Sequence, residues 1–295
     1  MKFIERENID EKKWDACIEA SSSLPYAYSW YLDGICPTWS ALIIEKDNQY
    51  VACFPLPWKS KLGIKYVYPP FFIQQLGLFT IDKSIEITPF IEKVINEFKW
   101  VELYLNSEVS GVEGRCNMVL KLANSYEELA AGYSSNHRRN LQKSKKLKLQ
   151  ESNTASSAVK LFIADKGSSF SHLKNEHYDA FSKVCEKASL LGKFQGLEAV
   201  DSLGEVICSA LFFVTKNRIV FAFSGNSEKG KESAALFFLL DEIVKRYQNT
   251  NFTLDFEGSE NEGLQRFYKG FGAKREDYYF YKSNNLPFPV NVFKK

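Results

Sequence analysis

Apolar positions along this chain fall into two alternating periods. Runs rich in β-branched and aromatic residues occur at Ala41–Ile44, Tyr50–Leu56 and Ile64–Tyr68, and again at Leu197–Val200, Glu205–Val214 and Arg218–Phe223. Such runs suit strands with one or both faces buried. Helical spacing follows each set. Phe90, Ile91, Val94, Ile95 and Phe98 make one face over Thr88–Phe98, with Thr88 as cap and Pro89 where a missing N–H costs nothing. Leu236, Leu240, Ile243, Val244 and Tyr247 do the same over Ser233–Tyr247. A further strand closes each set, Val101–Leu105 and Phe252–Phe256.

The order of elements is therefore duplicated. A shift of about 155 positions lays Ala41–Pro70 on Gly196–Gly225 without a gap. Tyr50-Val51-Ala52-Cys53 then meets Glu205-Val206-Ile207-Cys208, and Ile64 and Tyr66 meet Ile219 and Phe221. A repeat this long predicts two similar domains, not a solenoid of short units. The chain of 295 residues suits two domains. We expect an α+β or α/β chain with domains at 1–124 and 151–295, each a central mixed sheet flanked by helices, joined by a basic linker helix at 125–150.

The densest chemistry lies at Phe252–Ala273. A short strand ends in Glu257-Gly258-Ser259, and Ser259 and Glu262 have capping-box spacing. Leu264, Phe267, Tyr268 and Phe271 then form a helical stripe, which Gly270 and Gly272 can end because glycine tolerates positive φ. Strand alternation places Asp255 and Glu257 on one side and Leu254 and Phe256 in the core. Two carboxylates delivered to the head of a helix form a candidate site. An ordinary strand-helix unit with solvated acids is the other reading.

Between the copies, Ser125 and Glu128 form a second capping box, Gly132 can break that helix, and Ser134 or Ser135 can restart it. Asn136–Lys148 then carries a run of Lys and Arg without an acid. Arg138, Arg139 and Lys143 could bind phosphate on a face towards an inter-domain groove, or the run could be a solvated helix. Elsewhere, Asp10 should cap a helix carrying Trp14, Cys17 and Ile18, and Asn175–Ala188 should be a helix with Tyr178, Phe181 and Cys185 inward. Glu151–Ala158 reads as a connector. The loop Tyr68–Gly77, with Tyr68, Gln74 and Gln75, either lines a substrate pocket or simply packs.

Charge and composition narrow the picture. A formal charge of +2 gives no global field for nucleic acid. No apolar run reaches membrane-spanning length, and no export signal is visible at Met1–Arg6. The six cysteines include no C-x-x-C pair and read as buried thiols of a cytoplasmic protein. His137, His172 and His177 lie in different contexts, so no metal site is expected. G-x-S-x-G, Walker and G-x-G-x-x-G motifs do not occur.

A strand meander, helix and strand followed by Phe267-Tyr268-Lys269-Gly270-Phe271-Gly272 resembles the GNAT acyltransferase superfamily. The tandem arrangement, with Arg138-Arg139-Asn140-Leu141 between the copies and Asp255-Phe256-Glu257-Gly258-Ser259 near the end, is similar to Fem-type aminoacyl transferases of peptidoglycan synthesis and their acetyltransferase-like relatives. The resemblance covers roughly residues 1–285. It implies two tandem GNAT-like domains and transfer of an acyl or aminoacyl group to an amine. The donor would be acyl-CoA or aminoacyl-tRNA as co-substrate, with no tightly bound cofactor, and the acceptor a small amine or cell-wall precursor. Tyr268 matches the GNAT tyrosine that protonates the leaving group, or is a core aromatic. Asp255 or Glu257 would be the base, and a backbone N–H of the splayed strand Arg218–Ser224 would hold the oxyanion. Ser224, Gly225, Lys229, Gly230, Ser233 and Lys269 would contact the donor. Two departures stand. Lys269 follows a tyrosine where Fem-type chains have Phe-Lys before the glycine, and the acyl-CoA loop motif is incomplete at Ser227–Ala235. A non-catalytic tandem that binds a phosphorylated metabolite or partner is the second class of function.

Overall fold

The computed structural model describes residues 1–258 and 260–288. It divides into two compact units. Unit 1 takes residues 1–116 together with the segment from Asp277 onward, and unit 2 takes residues 117–276. This differs from the expected division at 1–124, 125–150 and 151–295. The basic segment belongs to unit 2, and the last strand belongs with the first unit.

Unit 1 begins with β1 (Lys2–Glu5), α1 (Glu11–Ala20) and α2 (Ser29–Ile35). Asp10 caps α1, accepting from the N–H of Lys12 and Lys13 at 3.0 and 3.1 Å. Next come β2 (Trp39–Lys46), β3 (Gln49–Lys61), β4 (Ile64–Val67), the short β5 (Phe79–Thr80), α3 (Thr88–Glu97) and β6 (Trp100–Leu105). Asp47 and Asn48, both at positive φ, make the tight β2–β3 turn. Strands β1 to β4 pair antiparallel in sequence order, and β4 pairs parallel with β6. The α3 face of Phe90, Ile91 and Val94, with Phe98, packs on Leu42, Phe54, Val101 and Leu103. Removing each such side chain from water stabilises the unit by roughly 1.5–3 kcal/mol. Thr88 lies inside α3 and makes no capping bond; Ile87 stands at the cap position.

Unit 2 opens with the end of β7 (Gly114–Lys121), then α4 (Tyr126–Ala131), α5 (Ser135–Lys143), β8 (Lys148–Ser152), α6 (Ser156–Lys166) and α7 (Asn175–Leu190). The expected connector at 151–158 is therefore the end of β8 and the first turn of α6. The capping box of Ser125 and Glu128 forms, and Ser134 caps α5. There follow β9 (Phe194–Val200), β10 (Val206–Val214), β11 (Arg218–Asn226), α8 (Glu228–Glu232), α9 (Ala235–Tyr247), β12 (Thr253–Gly258) and α10 (Glu262–Lys269). The sheet runs antiparallel from β8 to β11, then parallel from β11 to β12. Leu239, Leu240, Ile243 and Val244 bury one face of α9, while Leu236 and Tyr247 are half-buried.

The duplication is visible as shared topology. Each unit has three antiparallel strands, a helix, and a strand parallel to the third. In each unit that parallel strand is flanked on its other side by an antiparallel strand from a distant part of the chain. In unit 1 that strand is β13 (Lys274–Asn284), whose Tyr279–Asn284 pairs with β6. In unit 2 it is residues 117–121 of β7, paired with β12. All six cysteines are buried and none forms a disulfide. Among the described residues, no helix is long and apolar enough to cross a membrane.

Candidate active site

The site of interest in unit 2 begins as a gap in the sheet. Parallel pairing of β11 with β12 covers Arg218↔Thr253, Ile219↔Leu254 and Val220↔Asp255, and stops there although both strands continue. On its other edge β11 stays paired with β10 as far as Asn226, with Ala222 left over as a bulge between Phe221 and Phe223. The β12-facing backbone groups of Phe221–Ser224 thus lack that strand as a partner, and buried amide groups require some partner. A bulge beside an open edge is a common way to aim backbone donors at a ligand.

Across the gap, β12 also breaks register. Asp255 stands opposite Val119, but Gly258 stands opposite Asn117, so β12 carries one extra residue. Glu257 absorbs the irregularity at φ 60°. A non-glycine residue there costs about 1–2 kcal/mol, a strain found most often at functional positions. The bulge also overturns the expected alternation. Asp255 and Glu257 do not form a matched pair. Asp255 is fully buried and accepts from Arg218 Nη1 at 2.6 Å, while Arg218 Nη2 donates to Glu276 at 2.8 Å. Asp255 is thus held on both oxygens, Oδ2 by Arg218 and Oδ1 by the Glu257 N–H at 2.9 Å, and has the contacts of a structural ion pair. Glu257 remains as the candidate.

Tyr268 is 8% exposed, and its ring stacks on Phe256 with centroids 4.9 Å apart. Burial, reinforced by the charges of Glu257 and Asp255, pushes its phenol well above the ordinary tyrosine value. The group keeps its proton at neutral pH and can donate it. The structure therefore brings Tyr268, Glu257 and Asp255 together. The expected Ser259 cap lies outside the described residues; Asn261 caps α10, accepting from Leu264 N–H at 3.1 Å. Leu264 points outward, at 42% exposed, and is not part of the buried stripe.

His137 is the residue that sequence reasoning missed. It is 3% exposed and lies against Phe237, Phe267 and Phe271. Its Nε2 is 2.8 Å from the Phe267 carbonyl and its Nδ1 is 2.9 Å from Ser134 Oγ. A carbonyl can only accept, which assigns the proton to Nε2 and leaves Nδ1 to accept from the hydroxyl. Burial lowers the imidazole value, partly opposed by the Phe267 bond. Gly270 exists for this ring: a Cβ there would stand 1.9 Å from His137 Cε1. Gly270 has φ −63°, so Gly272, at φ 84°, is the residue that uses positive φ to leave the helix. His137 thus fixes the end of the helix that carries Tyr268. A glycine in ordinary helical conformation beside a row of aromatics was the available signal.

The expected donor loop is closed in on itself. Ser227 Oγ accepts from Gly230 N–H at 3.1 Å, and the N–H groups of Lys231, Ser233 and Ala234 bond carbonyls within the loop. Gly230 is bare because a Cβ would stand 2.1 Å from Asn226 Oδ1, and Gly225 because one would stand 2.1 Å from the Ala158 carbonyl. Lys229 is ion-paired with Asp201 and lies 3.7 Å from Glu205. Ser233 ends α8, Ser224 lies in β11 opposite Ala210, and Lys269 is exposed at the end of α10. Gly225 and Gly230 are therefore places where the backbone packs too closely to admit a Cβ.

In unit 1, Gln75 donates to Gln74 at 3.0 Å, and the two line a void of about 10 Å³, room for no more than one water. Lys59 Nζ sits 4.3 Å from the Tyr68 ring centroid. Around Gln74 and Gln75 the loop is closely packed. In unit 2, Arg139 bonds Asn136 Oδ1 at 3.0 Å and is exposed, as is Lys143, whereas Arg138 lines a cavity of about 340 Å³. Asp241 anchors the wall of that cavity, accepting from Tyr126 and Tyr133 hydroxyls at 3.0 Å each and from Lys245 at 2.8 Å. Burial and the Asp241 charge push the Tyr126 phenol up to about 12.

No protein-family model matches the chain, and no curated protein sequence does. Solved structures match over nearly its full length, and the fold they share with it is the tandem GNAT-like fold of Fem type. FemX is similar with a TM-score of 0.71 at 12% identity, covering 100% of both chains. A tandem GNAT protein from the clavulanic acid biosynthesis pathway gives 0.56 at 10% identity, over 97% of this chain and 99% of that one. L-PGS from Bacillus licheniformis gives 0.54 at 12% identity, over 96% and 95%.

Proposed function

We propose that the chain is a transferase that moves an acyl or aminoacyl group from an activated donor to an amine, with the reaction in unit 2. The observation that carries this reading is the separation of β11 from β12 beyond Val220 and Asp255, with the Ala222 bulge on one side and strained Glu257 beside a neutral Tyr268 on the other. A donor carbonyl in the gap would meet β11 backbone N–H groups as its oxyanion forms. The amine nitrogen attacks that carbonyl, and Glu257 takes the proton the nitrogen loses. As the tetrahedral intermediate collapses, the bond to the leaving oxygen or sulfur breaks and Tyr268 protonates it. The proton lost by the amine rests on Glu257 and the leaving group carries the one from Tyr268, so passing a proton from Glu257 back to Tyr268 restores the site.

The donor classes are acyl-CoA and aminoacyl-tRNA, and a cell-wall precursor is among the acceptors that a Fem-type fold suggests. The self-satisfied loop before α9, with Lys229 tied to Asp201, offers little grip to a pyrophosphate and favours the aminoacyl ester. The test is transfer to a panel of amines from charged tRNA and from acyl-CoAs. Tyr268→Phe should lower turnover about 10²–10⁴-fold while leaving donor binding intact. Glu257→Gln should remove the acidic limb of the pH–rate profile. Full turnover by Tyr268→Phe would strip Tyr268 of its role, and silence towards every donor would leave the tandem as a binding protein.

A further inference from the structure

We infer that unit 2 holds a binding site for a small phosphomonoester with an apolar or aromatic body, in the cavity between α5 and α9. It does not depend on the transfer reading, because neither Tyr268 nor Glu257 lines this cavity.

The two helices offer matched faces. From α5 into the short turn after it, Arg138, Leu141, Gln142 and Lys145 line the cavity at i, i+3, i+4 and i+7. From α9, Phe238, Asp241 and Lys245 line it at i, i+3 and i+7. The helical period thus draws two cations out of the basic run into one recess and leaves Arg139, Lys143 and Lys146 outside it.

These two cations have capacity to give. Arg138 Nη1 donates to the carbonyls of Tyr133 and Ala131, which holds the guanidinium plane in place. Its other nitrogens, and the Lys145 ammonium, bond no group among the described residues. Cavity charge comprises Arg138, Lys145 and Lys245 against the single carboxylate of Asp241. Asp241 is already matched by Lys245 and two hydroxyls, and Lys245 also bonds Glu242 at 2.7 Å. Two unmatched cations suit a dianion. A planar guanidinium edge fits phosphate oxygens in a forked pair, and a phosphomonoester is largely dianionic above pH ~6. Leu141, Leu147 and the half-buried Phe238 supply an apolar wall with a ring face. A volume of about 340 Å³ holds a phosphate with a ring-sized substituent.

The probe is phenyl phosphate, titrated calorimetrically into the full chain beside inorganic phosphate and benzoate. Phenyl phosphate should bind at least about tenfold more tightly than either. Lys145→Gln and Arg138→Gln should each weaken it about tenfold or more, as expected for a charged hydrogen bond. Phe238→Ala should bring phenyl phosphate down to the affinity of inorganic phosphate. Lys146→Gln removes the same charge one residue away, off the cavity, and should change nothing. Arg138 also holds the Tyr133 carbonyl, so Lys145→Gln carries the conclusion if Arg138→Gln proves unstable. Equal weakening by Lys146→Gln, equal affinity for benzoate, or no binding of phenyl phosphate at about 10 mM would each overturn the site.

Discussion

Gly270→Ala should be destabilising only while His137 is present. At φ −63° the added methyl brings no backbone strain. In open space it would stabilise by about 0.4–1 kcal/mol by restricting the unfolded chain. Here the methyl would lie 1.9 Å from His137 Cε1 and 2.3 Å from Nδ1. The ring has nowhere to move, with Phe237, Phe267 and Phe271 centroids at 4.9, 5.5 and 4.5 Å. Overpacking costs about 1–3 kcal/mol, and displacing the ring from Phe267 and Ser134 adds about 1 kcal/mol per hydrogen bond. Net destabilisation should be about 2–4 kcal/mol. In a His137→Ala background the vacated space accepts the methyl, and the same change should be neutral or slightly stabilising. A double-mutant cycle would therefore show coupling of about 2–4 kcal/mol. All five tryptophans lie between residues 14 and 100, so tryptophan emission reports unit 1 alone. Urea-dependent hydrogen exchange on peptides covering β12 and α10 is the suitable assay. Additivity within about 0.5 kcal/mol would refute the contact as the reason for the glycine.

Two further outcomes follow from the same region. His137 has a lowered value in the fold against about 6.5 unfolded, so in the window between them the unfolded chain binds the extra proton and stability rises with pH. Its contribution should be complete above pH ~6.5 and lost as pH falls towards the folded value; an unchanged slope in His137→Asn would contradict this. Asp255→Asn should cost about 3 kcal/mol of stability by leaving Arg218 half-paired, and turnover per folded molecule should hold; lost turnover in a fully folded variant would return Asp255 to the reaction.

The parts of the fold legible in the sequence were those written in local period. The strand and helix pattern of Ala41–Leu105 and its copy at Leu197–Phe256 both stand, because alternation and helical stripes need only neighbours a few residues apart. What failed to show depends on contacts across long separations. Gly225, Gly230 and Gly270 look like flexible or ligand-facing glycines, yet each is bare because α6, Asn226 or His137 presses on it. Asp255 looks like a free acid until Arg218, in the neighbouring strand, is seen to hold it. Glu257 lies near the end of β12, and the bulge that separates it from Asp255 has no residue signature. His137 sits inside a run that reads as charge, which masks a ring whose partners lie on α9 and α10.

The exchange of closing strands has a consequence for how the molecule comes into being on the ribosome. Residues 117–276 of unit 2 are continuous, so every strand of that sheet has emerged once translation passes residue 276 and the exit tunnel behind it. Unit 1 starts earlier and finishes later, because β6 waits for Tyr279–Asn284. The half synthesised first is thus the half completed last, and its β6 edge stays open throughout the synthesis of the other. An open strand edge invites wrong pairing. The nascent chain therefore has reason to delay or shield the first half, and premature termination just after Glu276 would release a product with unit 2 whole and unit 1 lacking the Tyr279–Asn284 strand.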